Sequence, residues 1–153
     1  MFRKPALLIS LLCLAVSNLL SSEIIEISAS ASQSGNGPDH AIDGSVNSRW
    51  SAEGKDQWIQ LKLDKKATFS TFEAGFSRGS RNYEFSVLTS MDGKKWNEAY
   101  KGKSPGQGDR VAKYEAPESS ALFVRFVSRG NNENKWVNLH TFRIKGVSVS
   151  KKL

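Results

Sequence analysis

The run Gln57-Trp58-Ile59-Gln60-Leu61-Lys62-Leu63 alternates without a break, with Ile59, Leu61 and Leu63 on one side and Gln60 and Lys62 on the other. A period of two describes a strand with one buried face, not a helix. Such a strand needs partners, and the chain offers them at Ile24–Ser28, Thr68–Ser77, Tyr83–Ser90, Trp96–Tyr100, Val111–Glu115, Ala121–Ser128 and Val137–Val147. Asp92-Gly93, Pro105-Gly106 and Gly130-Asn131 punctuate them as turns. Short strands at this spacing, with almost no helical pattern, predict an all-β fold, an antiparallel sandwich of two sheets.

Immediately upstream lies a polar loop, Ala41 to Trp50. Asp43-Gly44 is a turn signal, and Trp50, a large ring among small polar neighbours, reads as the anchor that pins the loop to a core. The string A-x-D-G-x-x-x-S-R-W followed by Q-W-I-Q-L-x-L resembles the discoidin, or coagulation factor V/VIII type C, domains. Within that superfamily it is most similar to carbohydrate-binding module family 32, of the kind attached to alginate lyases. The resemblance continues through Ser90-Met91-Asp92-Gly93-Lys94-Lys95-Trp96, Phe123-Val124-Arg125-Phe126 and Gly130-Asn131 to Trp136. It implies a jelly-roll sandwich of galactose-binding-like topology and a non-catalytic polysaccharide-binding role.

Met1–Ser22 reads as an export signal. Arg3 and Lys4 form the positive start, Ala6–Val16 the apolar stretch, and Ala15, Ser17, Ser21 and Ser22 offer small residues for cleavage. The apolar run is shorter than the roughly 20 residues a membrane span takes. A secreted, extracellular or periplasmic protein is the expectation, with residues 23–147 as one binding domain and 148–153 as a short basic tail. The stretch Val147–Leu153 is expected to fray. Cys13 falls inside the signal, so the exported domain carries no disulfide and depends on its core.

Net charge is +7, or +5 once Arg3 and Lys4 are removed, which favours anionic partners without choosing among them. Antiparallel strands sharpen that choice, because successive loops then alternate between the two ends of the sandwich. Arg49–Asp56, Arg78–Asn82, Lys101–Arg110 and Arg129–Trp136 fall at one end, with nine basic residues against four acidic ones. Asp64–Ala67, Met91–Lys95 and Ala116–Ser120 fall at the other, with four against three. The crowded end suits an acidic sugar polymer, since a guanidinium meets a carboxylate with two parallel hydrogen bonds. Arg78, Arg81 and Arg129 are the candidates for that contact, Asn82, Asn131 and Asn134 for sugar hydroxyls, and Trp136 for stacking on a ring. The family resemblance points to the same two loops. Trp58 and Trp96, each opening a strand, are read as core.

The resemblance also implies a structural calcium ion held by the loop equivalent to His40–Ser51. Asp43 and Ser48 stand at two ligand positions, but Thr141 stands where the family carries a glutamate. Two outcomes remain open: a bound ion, or a loop in which Asp43 caps its own turn. An enzyme is not expected. His40 and His140 lack metal-helix spacing, and Asp39-His40 has no nucleophile elbow beside it. The alternative to sugar binding is the lipid or protein adhesion role of other discoidin relatives, although the loops at the basic end carry no leucine or phenylalanine to insert. Nucleic acid is disfavoured by the export signal. The expected partner is a polysaccharide, met by a monomer working alone or beside a separate polysaccharide-degrading enzyme.

Overall fold

The computed structural model describes residues 21–153, so the export signal and Cys13 lie outside the described residues, save for the last two positions of the signal. Eight strands form: β1 (Ser22–Ala29), β2 (Trp50–Glu53), β3 (Trp58–Phe76), β4 (Tyr83–Ser90), β5 (Asn97–Lys103), β6 (Val111–Asn131), β7 (Trp136–Ile144) and β8 (Val147–Val149), with one 3-10 turn at Pro38–Ala41. The alternation at Ile59, Leu61 and Leu63 holds, and all three are buried. Nearly all pairs are antiparallel; the exception is the short β1–β8 pair, which is parallel.

Two strands are far longer than the sequence pattern suggests, and they make the sandwich. β3 and β6 pair along almost their whole length, from Trp58↔Val127 to Gly75↔Val111. The ribbon they form runs up one layer, bends, and returns in the other. Its first arm lies between β1 and β4, and its second arm continues onto β7. One layer is therefore β8-β1-β3-β6-β4-β5 and the other β2-β7-β3-β6. Register shifts between Lys62 and Ala67 and between Phe69 and Thr71 mark the bend, as expected where a strand switches sheets.

This corrects the reading of Asp64–Ala67 and Ala116–Ser120 as loops. Their charged and small residues looked like breaks, but they are the exposed outside of a corner, where the strand continues. The assignment of ends survives, because a strand folded over a corner returns to the side it left. Two further corrections follow. The stretch Arg49–Asp56 contains β2, paired to β7 from Trp50↔Leu139 to Glu53↔Trp136. The tail is not frayed at its start, since Val147–Val149 pairs with Ser22–Ile24.

Between the layers lies an aromatic core. Phe72 stacks on Tyr114 at 5.1 Å, Phe76 on Tyr83 at 4.5 Å and Phe85 on Phe126 at 5.0 Å. Pairs of this kind add about 0.5–1.5 kcal/mol each beyond the area they bury. Trp50 is fully buried and donates from Nε1 to the Ala31 carbonyl at 2.9 Å, so it anchors its loop as the sequence suggests. Trp58 and Trp96 are not core. Both are half-buried on the outer face, with the Arg125 guanidinium between them, 4.2 Å from each ring.

Candidate functional site

Four loops meet at one end, held by bonds between chain segments far apart in sequence. Gly79 and Gly108–Asp109 lock together, with Gly108 N–H on the Gly79 carbonyl and Gly79 N–H on Asp109 Oδ1. The Asn82 N–H donates to Asn132 Oδ1 at 2.9 Å. Gly54 N–H reaches the Lys135 carbonyl, and Asp56 N–H the Ser128 carbonyl. Beneath them runs a relay of side chains: Arg49 Nε donates to Ser51, Ser51 to Asn138, Asn138 to the Tyr83 hydroxyl, and that hydroxyl to the Ser77 carbonyl. Buried polar chains of this sort rigidify what sits on them once every member is satisfied.

Arg81 is the best-fixed cation of the set. Its side chain is only 15% exposed, and Nε lies 2.5 Å from Glu133 Oε2. Burial works against its charged form, yet the hydrogen bonds and charges of Glu133 and Tyr83 outweigh that and hold its pKa above the ordinary value. Glu133 occupies Nε and the Tyr83 hydroxyl lies near the terminal nitrogens, whose remaining N–H groups can meet a carboxylate. Arg78 sits three residues earlier, exposed and in the left-handed backbone region at φ 57°. It belongs to no ion pair among the described residues.

The asparagines divide their work. Asn131 is wholly committed to its own loop: Oδ1 accepts from the Glu133 and Asn134 amides, and Nδ2 donates to Asn134 Oδ1 and the Trp136 carbonyl. It shapes the loop and has no spare group for a ligand. Asn134 also takes the Trp136 N–H on Oδ1, but its own amide N–H groups make no hydrogen bond among the described residues. Asn82 Nδ2 donates to the Ser104 carbonyl, while Oδ1 accepts no bond there. Trp136 is half-buried at the mouth. Arg129 stands with a different group: Nη1 lies 2.5 Å from Asp56 Oδ1, and it lines a hollow of ≈ 100 Å³ with Glu84, Lys101 and Lys103.

The structure thus brings together Arg78, Arg81, Asn82, Asn134 and Trp136, with Asn131 as their scaffold, and sets Arg129 apart. Glu133 and Asn132, which clasp the two loops, are not evident from the sequence; the signal was the run Asn131-Asn132-Glu133-Asn134, dense in residues that cap turns. The hollow by Gly79, Ser104 and Arg110 holds only ≈ 10 Å³, so a ligand would rest on a surface.

The Asp43 loop closes on itself. Asp43 Oδ1 accepts from the Ser45 N–H at 2.8 Å and Oδ2 from the Ser48 hydroxyl at 2.5 Å. Thr141 and Gly44 line the same ≈ 190 Å³ cavity, so Thr141 does face the loop. However, it is buried and its hydroxyl lies 2.8 Å from His140 Nδ1. Among the described residues no three His, Cys, Asp or Glu side chains converge. Of the roughly six to eight oxygens that calcium takes, the side chains here offer one carboxylate and two hydroxyls engaged in hydrogen bonds, and the others would be backbone carbonyls.

His140 itself is fully buried at a bulge in β7, where Gly75 pairs with Thr141 and Phe76 with Leu139. A Cβ on Gly75 would come within 2.4 Å of the ring, so the imidazole fits only over glycine. Among the described residues its Nε2 has no hydrogen-bond partner. Burial lowers its pKa, partly opposed by Asp109.

Residues 26–142 match the F5/8 type C domain. The chain belongs to that family, also called discoidin domains. Among solved structures it is similar to the CBM32 of AlyQ in complex with 4,5-unsaturated mannuronic acid, at 32% identity over 80% of this chain and 95% of that one, with a TM-score of 0.76. A pectin-binding carbohydrate-binding module is 25% identical, covering 86% of this chain and all of that one, also at 0.76. A chitosan-binding module from Paenibacillus sp. IK-5, solved with chitotriose, shares the fold at 21% identity, 79% and 95% coverage and a TM-score of 0.67. No curated protein matches the chain.

Proposed function

We propose that this discoidin domain is a non-catalytic carbohydrate-binding module that holds an anionic, uronate-rich polysaccharide of the alginate kind on the loops around Arg81. The observation that carries the reading is the Arg81–Glu133 clasp, which fixes the guanidinium of a side chain that is largely covered while leaving terminal N–H groups for a carboxylate. Arg78 adds charge, Trp136 a ring face, and Asn82 and Asn134 uncommitted amide groups for hydroxyls. The likeness to modules described with an unsaturated mannuronic acid and with pectin supports an acidic sugar. Binding suits a site whose hollow by Gly79, Ser104 and Arg110 holds only ≈ 10 Å³, and His140 is buried away from that surface. Export and work beside a separate degrading enzyme accord with the leading apolar segment and with a polymer found outside cells. The Asp43 loop serves as a support closed by its own hydrogen bonds.

Affinity electrophoresis against alginate, pectate and a neutral glucan tests the reading. Retardation should be strong on the two uronates, weaken with salt as exposed charges are screened beyond about 8 Å, and disappear for the most part in Arg81→Ala. Equal retardation on the neutral glucan would remove the acidic-polymer assignment.

A further inference from the structure

A cavity of ≈ 300 Å³ lies away from the binding loops. It opens toward the corner of the sandwich, and its origin is topological. β7 ends at Ile144 and the chain crosses to the other layer as β8, turning at Gly146 with φ 81°. The crossing leaves a notch beside the Phe69/Thr71 bulge of β3, bridged by the Lys145 N–H on the Thr71 carbonyl. Phe72 and Ile144 border it but are buried, so its accessible apolar surface is the half-buried Val147.

Its rim is cationic. Glu73 sits in register between Lys113 of β6 and Arg143 of β7. Arg143 Nε lies 3.0 Å from Glu73 Oε2, which repeats the Arg81–Glu133 device: one glutamate holds Nε and the terminal nitrogens stay available. Lys113 leans on the exposed Glu115 at 3.7 Å, and Lys145 has no ion pair among the described residues. Three cations, Arg143, Lys113 and Lys145, therefore stand with two carboxylates, Glu73 and Glu115, around the hollow.

We propose that this notch is a second binding site, for a single carboxylate-bearing sugar unit. The volume is at the small end of ligand cavities and admits about one ring. Val147 meets the C–H face of the ring, and Arg143 with Lys113 and Lys145 receives its carboxylate. Because the ligand class comes from the notch's own cations and from Val147, the assignment stands apart from the loop site. With both sites occupied, the domain bridges two stretches of polymer, and avidity exceeds either contact alone.

The test is a titration of the ¹⁵N-labelled protein with sodium glucuronate, read by amide chemical shifts. Saturable shifts are expected at Thr71–Glu73 and Gly146–Val147. The double variant Lys113→Gln/Lys145→Gln should weaken them about tenfold, about 1.4 kcal/mol for the two together, since contacts of exposed charges are individually small. Its fold should survive, because the lost pair is exposed, and an unchanged melting temperature checks this. Arg81→Ala should leave these shifts in place. Absence of notch shifts, shifts of equal size with glucose, or indifference to the double variant would each overturn the proposal. The loop reading fails separately, if the amides of Arg81–Tyr83 do not respond to alginate oligomers.

Discussion

The loop end and the notch meet similar chemistry with opposite construction. At the loop end there is hardly any concavity, and precision comes from side chains bonding backbone: Asn131 shapes one loop, Asn132 and Glu133 clasp it to the next. In the notch the concavity comes free from a strand changing sheets, and the cations around it are loosely held, with side-chain exposures of 58% for Arg143 and 59% for Lys113 against 15% for Arg81. A site can thus be preorganised without being deep, or deep without being preorganised. The fixed cation loses less freedom on binding, so the loop end is expected to be the tighter of the two.

The sharpest way to break this comparison is Arg81→Ala, which should cost about 1.5–3 kcal/mol of alginate binding by calorimetry, with Arg81→Lys recovering only part because an ammonium cannot form the bidentate pair. An equal loss from a single notch cation would invert the ranking. Next comes Gly79→Ala. A Cβ there would lie 2.0 Å from the Gly108 carbonyl oxygen, so the two loops must part, at about 1–3 kcal/mol in denaturant unfolding and with weakened binding. Gly146→Ala, in the notch, meets no atom within 4 Å and carries only the strain of its positive φ, about 1 kcal/mol. If the two glycines cost the same, the loops are not locked as described.

Acid should act more gently. The pKa of His140 is lowered from 6.5 by burial, so the folded protein prefers the neutral ring while the unfolded chain takes a proton at the ordinary value. Stability should be full above pH 6.5, fall as pH drops below it, and level off once the folded state is protonated too. Denaturant titrations across that range, compared with His140→Gln, read the effect; an identical slope in the variant would assign it elsewhere. The smallest expected effect is that of calcium. Excess calcium or chelator should leave the melting temperature unchanged, whereas Thr141→Glu, facing the Asp43 loop with a second carboxylate, should create a calcium-dependent rise. A rise in the unaltered protein would show that carbonyl oxygens complete the site.

Much of the architecture was legible because strand alternation depends on neighbours two residues away. The buried set Ile59, Leu61 and Leu63, the anchoring of Trp50 and the gathering of basic loops at one end all follow from local pattern and from strands that reverse. The corners were not legible. Lys65, Lys66 and Glu118 look like loop residues because a corner exposes its outside as a loop does, and only the pairing of β3 with β6 distinguishes them. Trp58 and Trp96 were misplaced for a related reason: hydrophobicity says that a ring wants cover, not which cover, and Arg125 supplies it on the outer face.

For the candidate site, the sequence by itself determined which charges and amides lie on loops that share an end, because parity of strand direction needs no distances. Only the tertiary structure decided how they are used. Arg81 is separated from Arg129, Asn131 is consumed by its own loop, and Glu133 becomes the partner that fixes Arg81, since hydrogen bonds depend on ångström-scale placement of groups about fifty residues apart. The notch belongs wholly to that second kind of information. Glu73, Lys113 and Arg143 are remote in sequence, and they become neighbours because three strands stand in register around one departing chain.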